Sequence, residues 1–334
     1  MPAFTDDRLN TLLKNFRGKR IAVVGDLMID RYTWGRVVRV SPEAPVPVVE
    51  VESESVRLGG AANVANNIQT LGGVPLLVGV TGADHPGTML TGILAERGLD
   101  ASGVVADPAR PTTVKTRVIA HGQHVVRIDT ESRADCPEEL QKKMLDGLRR
   151  AADSLDGIII EDYNKGVVTR RLIGDVSAIA RSRKIPVTVD PKFDHFLDFT
   201  GVTVFKPNRR EVEEVLGGKL TTVASVEAAG RKLLEQLRAE NVLLTRGEEG
   251  MSLFESSGAV THMPTTATVV QDVSGAGDSV ISTLTLALVS GATVLEAAAL
   301  ANCAGGLVVA EVGIVPVQPA QLLAAARRFF GMGA

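Results

Sequence analysis

An α/β fold on a mostly parallel sheet, with a smaller set of strands inserted early, follows from three features of the sequence. Short apolar runs recur along the chain, and each ends in a polar or charged residue. Between most of them lie segments whose apolar residues keep helical spacing. Two stretches rich in branched residues break this rhythm in the first half. Apolar strands alternating with helices are strands buried on both faces, the pattern of a parallel sheet covered by helices. In such folds ligands sit beyond the carboxyl ends of the strands.

Taken in order, Leu9, Leu12, Leu13 and Phe16 follow the capping run Thr5-Asp6-Asp7 at helical spacing, so a short amphipathic helix opens the chain. Residues 19–24 read as a buried strand ending at Gly25-Asp26. The stretch 37–51 (VVRVSPEAPVPVVEV) is rich in Val and Pro, and 112–129 (TTVKTRVIAHGQHVVRID) alternates apolar with polar residues around a His-Gly turn. Both predict antiparallel strands, placed at about 33–57 and 108–131, which serve as a lid or a dimer surface or extend the edge of the main sheet. Helical spacing returns at 137–152 and 169–183, and apolar strands at 157–162, 185–190, 202–206 and 241–246. A last apolar helix is expected over 280–290. There is no internal repeat and no linker, so residues 1–334 are read as one domain.

Composition excludes several classes. Of 334 residues, 45% are apolar and 22% charged, ordinary values for a chain that buries a full core. Thirty-six basic against 39 acidic side chains give a net charge of -3 without a basic block, which argues against nucleic acid. The most apolar stretches are too short and interrupted to span a bilayer, and the N-terminus carries no secretory signal, so no membrane is expected and the cytoplasm is. Cys136 and Cys303 are isolated, as reduced thiols would be. His121 and His124 form an HxxH without a third ligand, better read as a hairpin tip than as zinc.

The chemistry concentrates in DVSGAGDSV, residues 272–280. Gly275, Ala276, Gly277 and Asp278 fall at a helix N-terminus, where unpartnered N–H groups and the dipole favour an anion and small side chains let it approach. A carboxylate beside an anion site makes sense if a hydroxyl lies between them. Asp278 would then accept the hydroxyl proton while the glycine-turn amides stabilise a transferring phosphoryl group. The dipole is expected to keep Asp278 ionised, and helix capping alone would also account for it. LGGAANVANN at 58–67 is a second strand-to-helix junction of small residues, and Asn63 suits a polyol. Asp26 and Asp30 follow the first strand and can accept from sugar hydroxyls. No GxGxxG and no GxxxxGK[ST] occurs. At 206–211, KPNRRE puts Asn208 and Glu211 on one face of a starting helix, able to hold metal-bound water, although a cap explains Asn208 as well. TRGEEG at 245–250 reads as strand, tight turn and strand.

The four segments GGAANVA, KPNRRE, TRGEEG and DVSGAGD, in this order over nearly the whole chain, resemble the ribokinase or PfkB family of carbohydrate kinases. That resemblance implies a ribokinase-like three-layer sandwich with a mostly parallel central sheet and a small β-sheet lid. It makes Asp278 the base and Gly275, Ala276 and Gly277 the anion hole. Lys206, Asn208 and Glu211 would face the phosphates of ATP and Mg2+, with Thr245, Gly247, Gly250 and Asn302 along the nucleotide. Asp30, Gly59, Gly60 and Asn63 would hold the sugar. The family often has Thr where this chain has Val273 or Ser274, which bears on the K+ site that some members build near Asp272.

Within the family, RVSPEAPVPVVEV (39–51), RLGGAANVANNI (57–68), EDYNKG (161–166), DPK (190–192) and TRGEEGMSLF (245–254) resemble the kinases of bacterial heptose biosynthesis. These phosphorylate D-glycero-β-D-manno-heptose 7-phosphate at O1, on the route to the ADP-heptose of lipopolysaccharide core. Many are fused to a nucleotidyltransferase; no HxGH motif occurs here, so that activity is expected on a separate protein. A phosphorylated acceptor needs cations away from Asp278, for which Lys192 first, then Lys165, Lys115, Arg117 and Arg127, with Asn164 as a neutral partner, are the candidates. A homodimer through the lid is expected. The alternatives are another sugar or nucleoside kinase of this family, or a silent nucleotide-binding regulator on the same fold.

Overall fold

The computed structural model describes residues 4–267 and 269–332. Helix α1 (Asp6–Asn15) is capped by Thr5 and leads into β1 (Arg20–Gly25). A single residue, Asp26, separates β1 from β2 (Leu27–Val40), which turns back as β3 (Pro47–Gly60) and enters α2 (Ala61–Thr70). Next come β4 (Val74–Gly82), α3 (His85–Glu96) and β5 (Asp100–Asp107). A second hairpin, β6 (Thr113–Ala120) and β7 (Gln123–Thr130), closes on His121 and Gly122, both at positive φ, as a two-residue turn requires. The HxxH is therefore a hairpin tip.

Helix α4 (Glu138–Ala151) leads to β8 (Gly157–Glu161), α5 (Arg170–Arg183), β9 (Val187–Asp190) and the two-residue β10 (Val204–Phe205). Helices α6 (Arg209–Leu216) and α7 (Val223–Leu237) precede β11 (Asn241–Thr245), β12 (Met251–Glu255) and β13 (Val260–Met263). The chain finishes with α8 (Ala276–Val289), α9 (Val294–Val308) and α10 (Pro319–Phe329).

Nine strands form one sheet in the order β13-β12-β11-β10-β9-β8-β1-β4-β5. All pairs from β11 to β5 are parallel, and β12 and β13 add an antiparallel edge. Alternate residues of each strand feed two cores. Ile21 and Val23 pack with α1, α2, α8, α9 and α10, whereas Ala22 and Val24 pack with α4, α5 and α7. The result is three layers, as a parallel sheet buried on both faces demands.

The small sheet has the order β3-β2-β6-β7. Its outer pairs are antiparallel, but β2 and β6 run parallel, Met28 opposite Thr113 through Gly35 opposite Ala120. The purely antiparallel expectation is corrected for a simple reason. Strand β2 continues from β1 and β6 follows β5, and β1 and β5 belong to one parallel sheet, so both hairpins leave it in the same direction. The small sheet also begins earlier than expected, at Leu27. Among the described residues no helix is long and apolar enough to cross a membrane.

Candidate active site

Helix α8 starts at Gly275, whose φ of 77° only glycine adopts without strain and where a Cβ would stand 3.1 Å from the Asn63 amide. The turn delivers Asp278 into the first helical turn, fully enclosed beyond the carboxyl ends of the strands. Asn63, from the first turn of α2, donates to Asp278 Oδ2 at 2.6 Å, and the Tyr163 hydroxyl donates to Oδ1 at 2.7 Å. Burial pushes the Asp278 carboxyl up to about 6; the bonds from Asn63 and Tyr163 pull it down, and Asp190 and Asp30 push it up. The expected effect of the helix dipole is thus outweighed by burial, which leaves a carboxylate ionised at neutral pH by a narrow margin.

Beside the turn lies a second group of charges. Lys206, at the end of β10, is buried and places Nζ 2.7 Å from Asp190 Oδ2. A Cβ on Gly277 would stand 3.3 Å from that same oxygen and 3.7 Å from Lys206 Nζ, so lysine and glycine turn share one space. Burial pulls the Lys206 ammonium down, but Asp190 and then Glu161 and Glu211 more than offset it and raise its pKa. Thr245 N donates to Pro207 O at 3.0 Å, which brings KPNRRE and TRGEEG side by side with Gly247 and Gly250 in the following turn. Asn302 donates to Pro264 O at 2.7 Å, and its own carbonyl accepts from Thr266 Oγ1 at 2.9 Å, so its amide anchors the strand-leaving loop.

Asn208 and Glu211 do share a face, and they use it on each other. Asn208 Oδ1 accepts from Glu211 N at 3.0 Å, and Glu211 Oε2 accepts from Asn208 N at 2.8 Å, a complete capping box. Glu211 Oε1 is taken by Lys192. No group of three or more carboxylate, His or Cys side chains among the described residues forms a metal cage. Mg2+ carried on nucleotide phosphates needs only one or two carboxylates, and Glu161 at the end of β8 has both oxygens buried without a donor, beside Asp190. Those oxygens fit a cation arriving with phosphates. Burial first, then Asp190 and Asp278, hold the Glu161 carboxyl well above the usual range.

On the other side of Asp278, Gly59 and Gly60 are bare because a Cβ would strike Asp30 Oδ2 at 2.2 Å and Asp26 O at 2.4 Å. Asp30 is paired with Arg117, whose guanidinium lies 5.3 Å from the Tyr32 ring centre. Asp26 is not available to a sugar. It is 1% exposed, and its carboxylate accepts from Tyr163 N (2.7 Å), Lys165 N (3.1 Å) and Val167 N (3.2 Å), pinning the loop after β8.

The cations proposed for a distal phosphate divide. Lys192 turns to Glu211, with its Nζ 5.6 Å from the Tyr163 ring centre, so it stands beside the KPNRRE turn and not apart from it. Lys165 pairs with Glu131 at 2.9 Å, and Arg127 with Asp129 on the exposed strand β7. Asn164, at φ 54°, keeps a buried, unpartnered Oδ1. Lys115 makes no ion pair among the described residues; its Nζ lies 5.3 Å from the Tyr163 ring centre, and burial, then Lys165, lower its pKa. Tyr163, Glu161 and Asp190 also stand here; EDYNKG and DPK contain them, but the sequence assigns them no role, and for Glu161 and Asp190 the signal is the polar end of an apolar strand, at GIIIED and IPVTVD.

Asp272 accepts from Ser274 N at 2.9 Å and Gly313 N at 3.0 Å, and its own N–H meets Val309 O. Val273 and Ser274 leave this loop-to-loop tie intact.

The family model described as pfkB family carbohydrate kinase matches residues 19–321. A curated relative from Geobacter sulfurreducens, "Bifunctional protein HldE", is 45% identical over 301 residues, covering 90% of this chain and 61% of the relative. The protein of the same name from Geobacter metallireducens is 45% identical over 315 residues, covering 94% of this chain and 64% of its own length. The chain thus spans less than two thirds of these relatives. Among solved structures, Escherichia coli phosphofructokinase-2 in complex with substrates and products superposes with TM-score 0.77 at 19% identity, covering 93% of this chain and 99% of that one. Arabidopsis thaliana ribokinase complexed with ribose and ATP gives TM-score 0.73 at 18% identity, with the same coverage of 93% and 99%. The fold is therefore ribokinase-like.

Proposed function

The chain belongs to the pfkB family of carbohydrate kinases and is an ATP-dependent sugar kinase, and we propose that its acceptor is D-glycero-β-D-manno-heptose 7-phosphate, phosphorylated at O1. One observation carries the transfer site: a buried carboxylate, Asp278, held by two donors beside a bare glycine turn. The heptose reading rests on the resemblance of segments outside that turn and on 45% identity to relatives named HldE. Lys115 supports a phosphorylated acceptor, since a half-buried ammonium with no ion pair among the described residues calls for an anion about one tyrosine away from the base.

In this reading the acceptor sugar lies between the small sheet and α8, against Asp30, Gly59, Gly60 and Asn63. Asp278 takes the O1 proton as O1 attacks the γ-phosphorus, the bond from that phosphorus to the β,γ-bridging oxygen breaks and ADP leaves. The amides of Gly275, Ala276 and Gly277 face the phosphoryl oxygens, and Lys206 adds a fixed positive charge there. Thr245, Gly247, Gly250 and the loop held by Asn302 line the nucleotide. Mg2+ supplies charge neutralisation of the phosphates when bound, held through Glu161 or, by way of water, Glu211 and Asn208. K+ is proposed at the Asp272 loop. The small sheet acts as lid on a single kinase domain and, through exposed Val38, Val40, Val126 and Ile128, as the face of a homodimer.

The test is ATP consumption against a panel of free and phosphorylated sugars, with Asp278→Asn in parallel. The variant is expected to bind ATP and sugar but to turn over at least ~10²-fold more slowly, as loss of a general base predicts. Near-normal turnover would remove Asp278 from its role. Selective consumption with free ribose, fructose or adenosine would remove the heptose assignment.

A further inference from the structure

We propose that Tyr163 is a positioning residue for the base: its hydroxyl, aimed by the loop pinned to Asp26, orients the Asp278 carboxylate and stabilises its charged form. The inference rests on Asp278 being the base. Three independent features place the phenol. Its backbone N–H is bound by Asp26 at 2.7 Å, the next residue, Asn164, adopts a left-handed φ of 54°, and its hydroxyl reaches Asp278 Oδ1 at 2.7 Å. Lys115 and Lys192 both lie over the ring, at 5.3 and 5.6 Å, which further restricts its rotation. A phenol packed for shape alone would need none of these.

The charge balance explains why such a donor is needed. Asp278 faces Asp30 from β2, Glu161 from β8 and Asp190 from β9. Of the cations near these groups, Lys206 is committed to Asp190, Lys192 to Glu211 and Arg117 to Asp30, and Lys115 lies over the Tyr163 ring, not on Asp278. Among the described residues, Asp278 itself has only neutral donors, Asn63 and Tyr163. Removing one of two hydrogen bonds to a buried carboxylate favours its protonated form.

The experiment measures kcat/KM for the acceptor against pH, at saturating Mg-ATP, in the unaltered protein, Tyr163→Phe and Asp278→Asn. In Tyr163→Phe the acid limb is expected to move up by about one pH unit, the size of one hydrogen bond to a charged group. Its alkaline plateau is expected to fall as well, because the base remains but is oriented by Asn63 alone. An unmoved acid limb in a folded Tyr163→Phe overturns the proposal; full activity in Asp278→Asn overturns the base assignment instead. A second measurement covers a variant that fails to fold. The chain has only two tyrosines, so 3-fluorotyrosine reports on Tyr32 and Tyr163 alone, assigned with Tyr32→Phe. The Tyr163 fluorine signal is expected to titrate with the midpoint of the acid limb, and a flat signal through that range overturns the proposal.

Discussion

Asp26→Asn tests how the loop after β8 is held. The carboxylate accepts two amides on Oδ2, from Tyr163 and Lys165, and one on Oδ1, from Val167, in a place that water does not reach. An asparagine carbonyl can keep the pair, but its NH2 then faces the Val167 N–H, donor against donor. The lost bond costs roughly 1–3 kcal/mol, and the two that remain lose charge assistance. Burial outweighs the pull of the three amides and raises the Asp26 pKa, so the charge adds nothing on balance and the donor clash sets the cost. We expect a net loss of about 2 kcal/mol. With about 2 cal/mol/K of unfolding entropy per residue, such a loss over 334 residues lowers the melting temperature by about 3 °C. Thermal unfolding followed by circular dichroism gives the shift, and turnover measured well below the transition should fall as Tyr163 loosens. A melting temperature within about 1 °C of the unaltered protein would refute the three-amide account.

Two further outcomes follow from the same geometry. Gly277→Ala sets a Cβ 3.3 Å from Asp190 Oδ2, a tight contact with an oxygen held by Lys206 that offsets the better helix propensity of Ala, so stability should change by less than about 1 kcal/mol; turnover should drop about 10²-fold if the phosphoryl oxygens meet the glycine-turn amides as proposed. Retained turnover would place the phosphoryl group elsewhere. Without nucleotide, stability should fall as pH rises from about 4 to about 7. Asp278 and Asp162 titrate at about 6 and about 7 in the folded chain against the ordinary 3.8, so the folded state holds protons that the unfolded state has released. A melting temperature that climbs through that window would contradict the sign.

Most of the large sheet is legible because its strands are buried on both faces, which leaves uninterrupted apolar runs such as GIIIE in β8. Strand β10 is a different matter. The run 202–206 (VTVFK) predicts five strand residues, but only Val204 and Phe205 pair with both neighbours, and Lys206 just beyond them reaches Asp190. Asp278 and the glycine turn stand in one contiguous motif. The charges around them come from the ends of β2, β8 and β9, which are distant in sequence, so only folding reveals that Asp26 faces backbone amides whereas Asp30, four residues on, faces Arg117. Local spacing says that Asn208 and Glu211 meet; it cannot say that Lys192 occupies the remaining Glu211 oxygen.

The one-residue joint between β1 and β2 makes the small sheet a continuation of the large one and leaves no slack to absorb a change in length. Side chains alternate along a strand, so an extra residue at Gly25-Asp26 would reverse every outward and inward position after it. Asp30 would turn from Gly59 and Arg117 to the opposite face, and an apolar neighbour would take its place there. The loop from Ser41 to Val46 at the far tip has no such phase to keep. Length there is free to vary, whereas at the joint a single residue decides which side chains of the strand face Gly59 and Arg117.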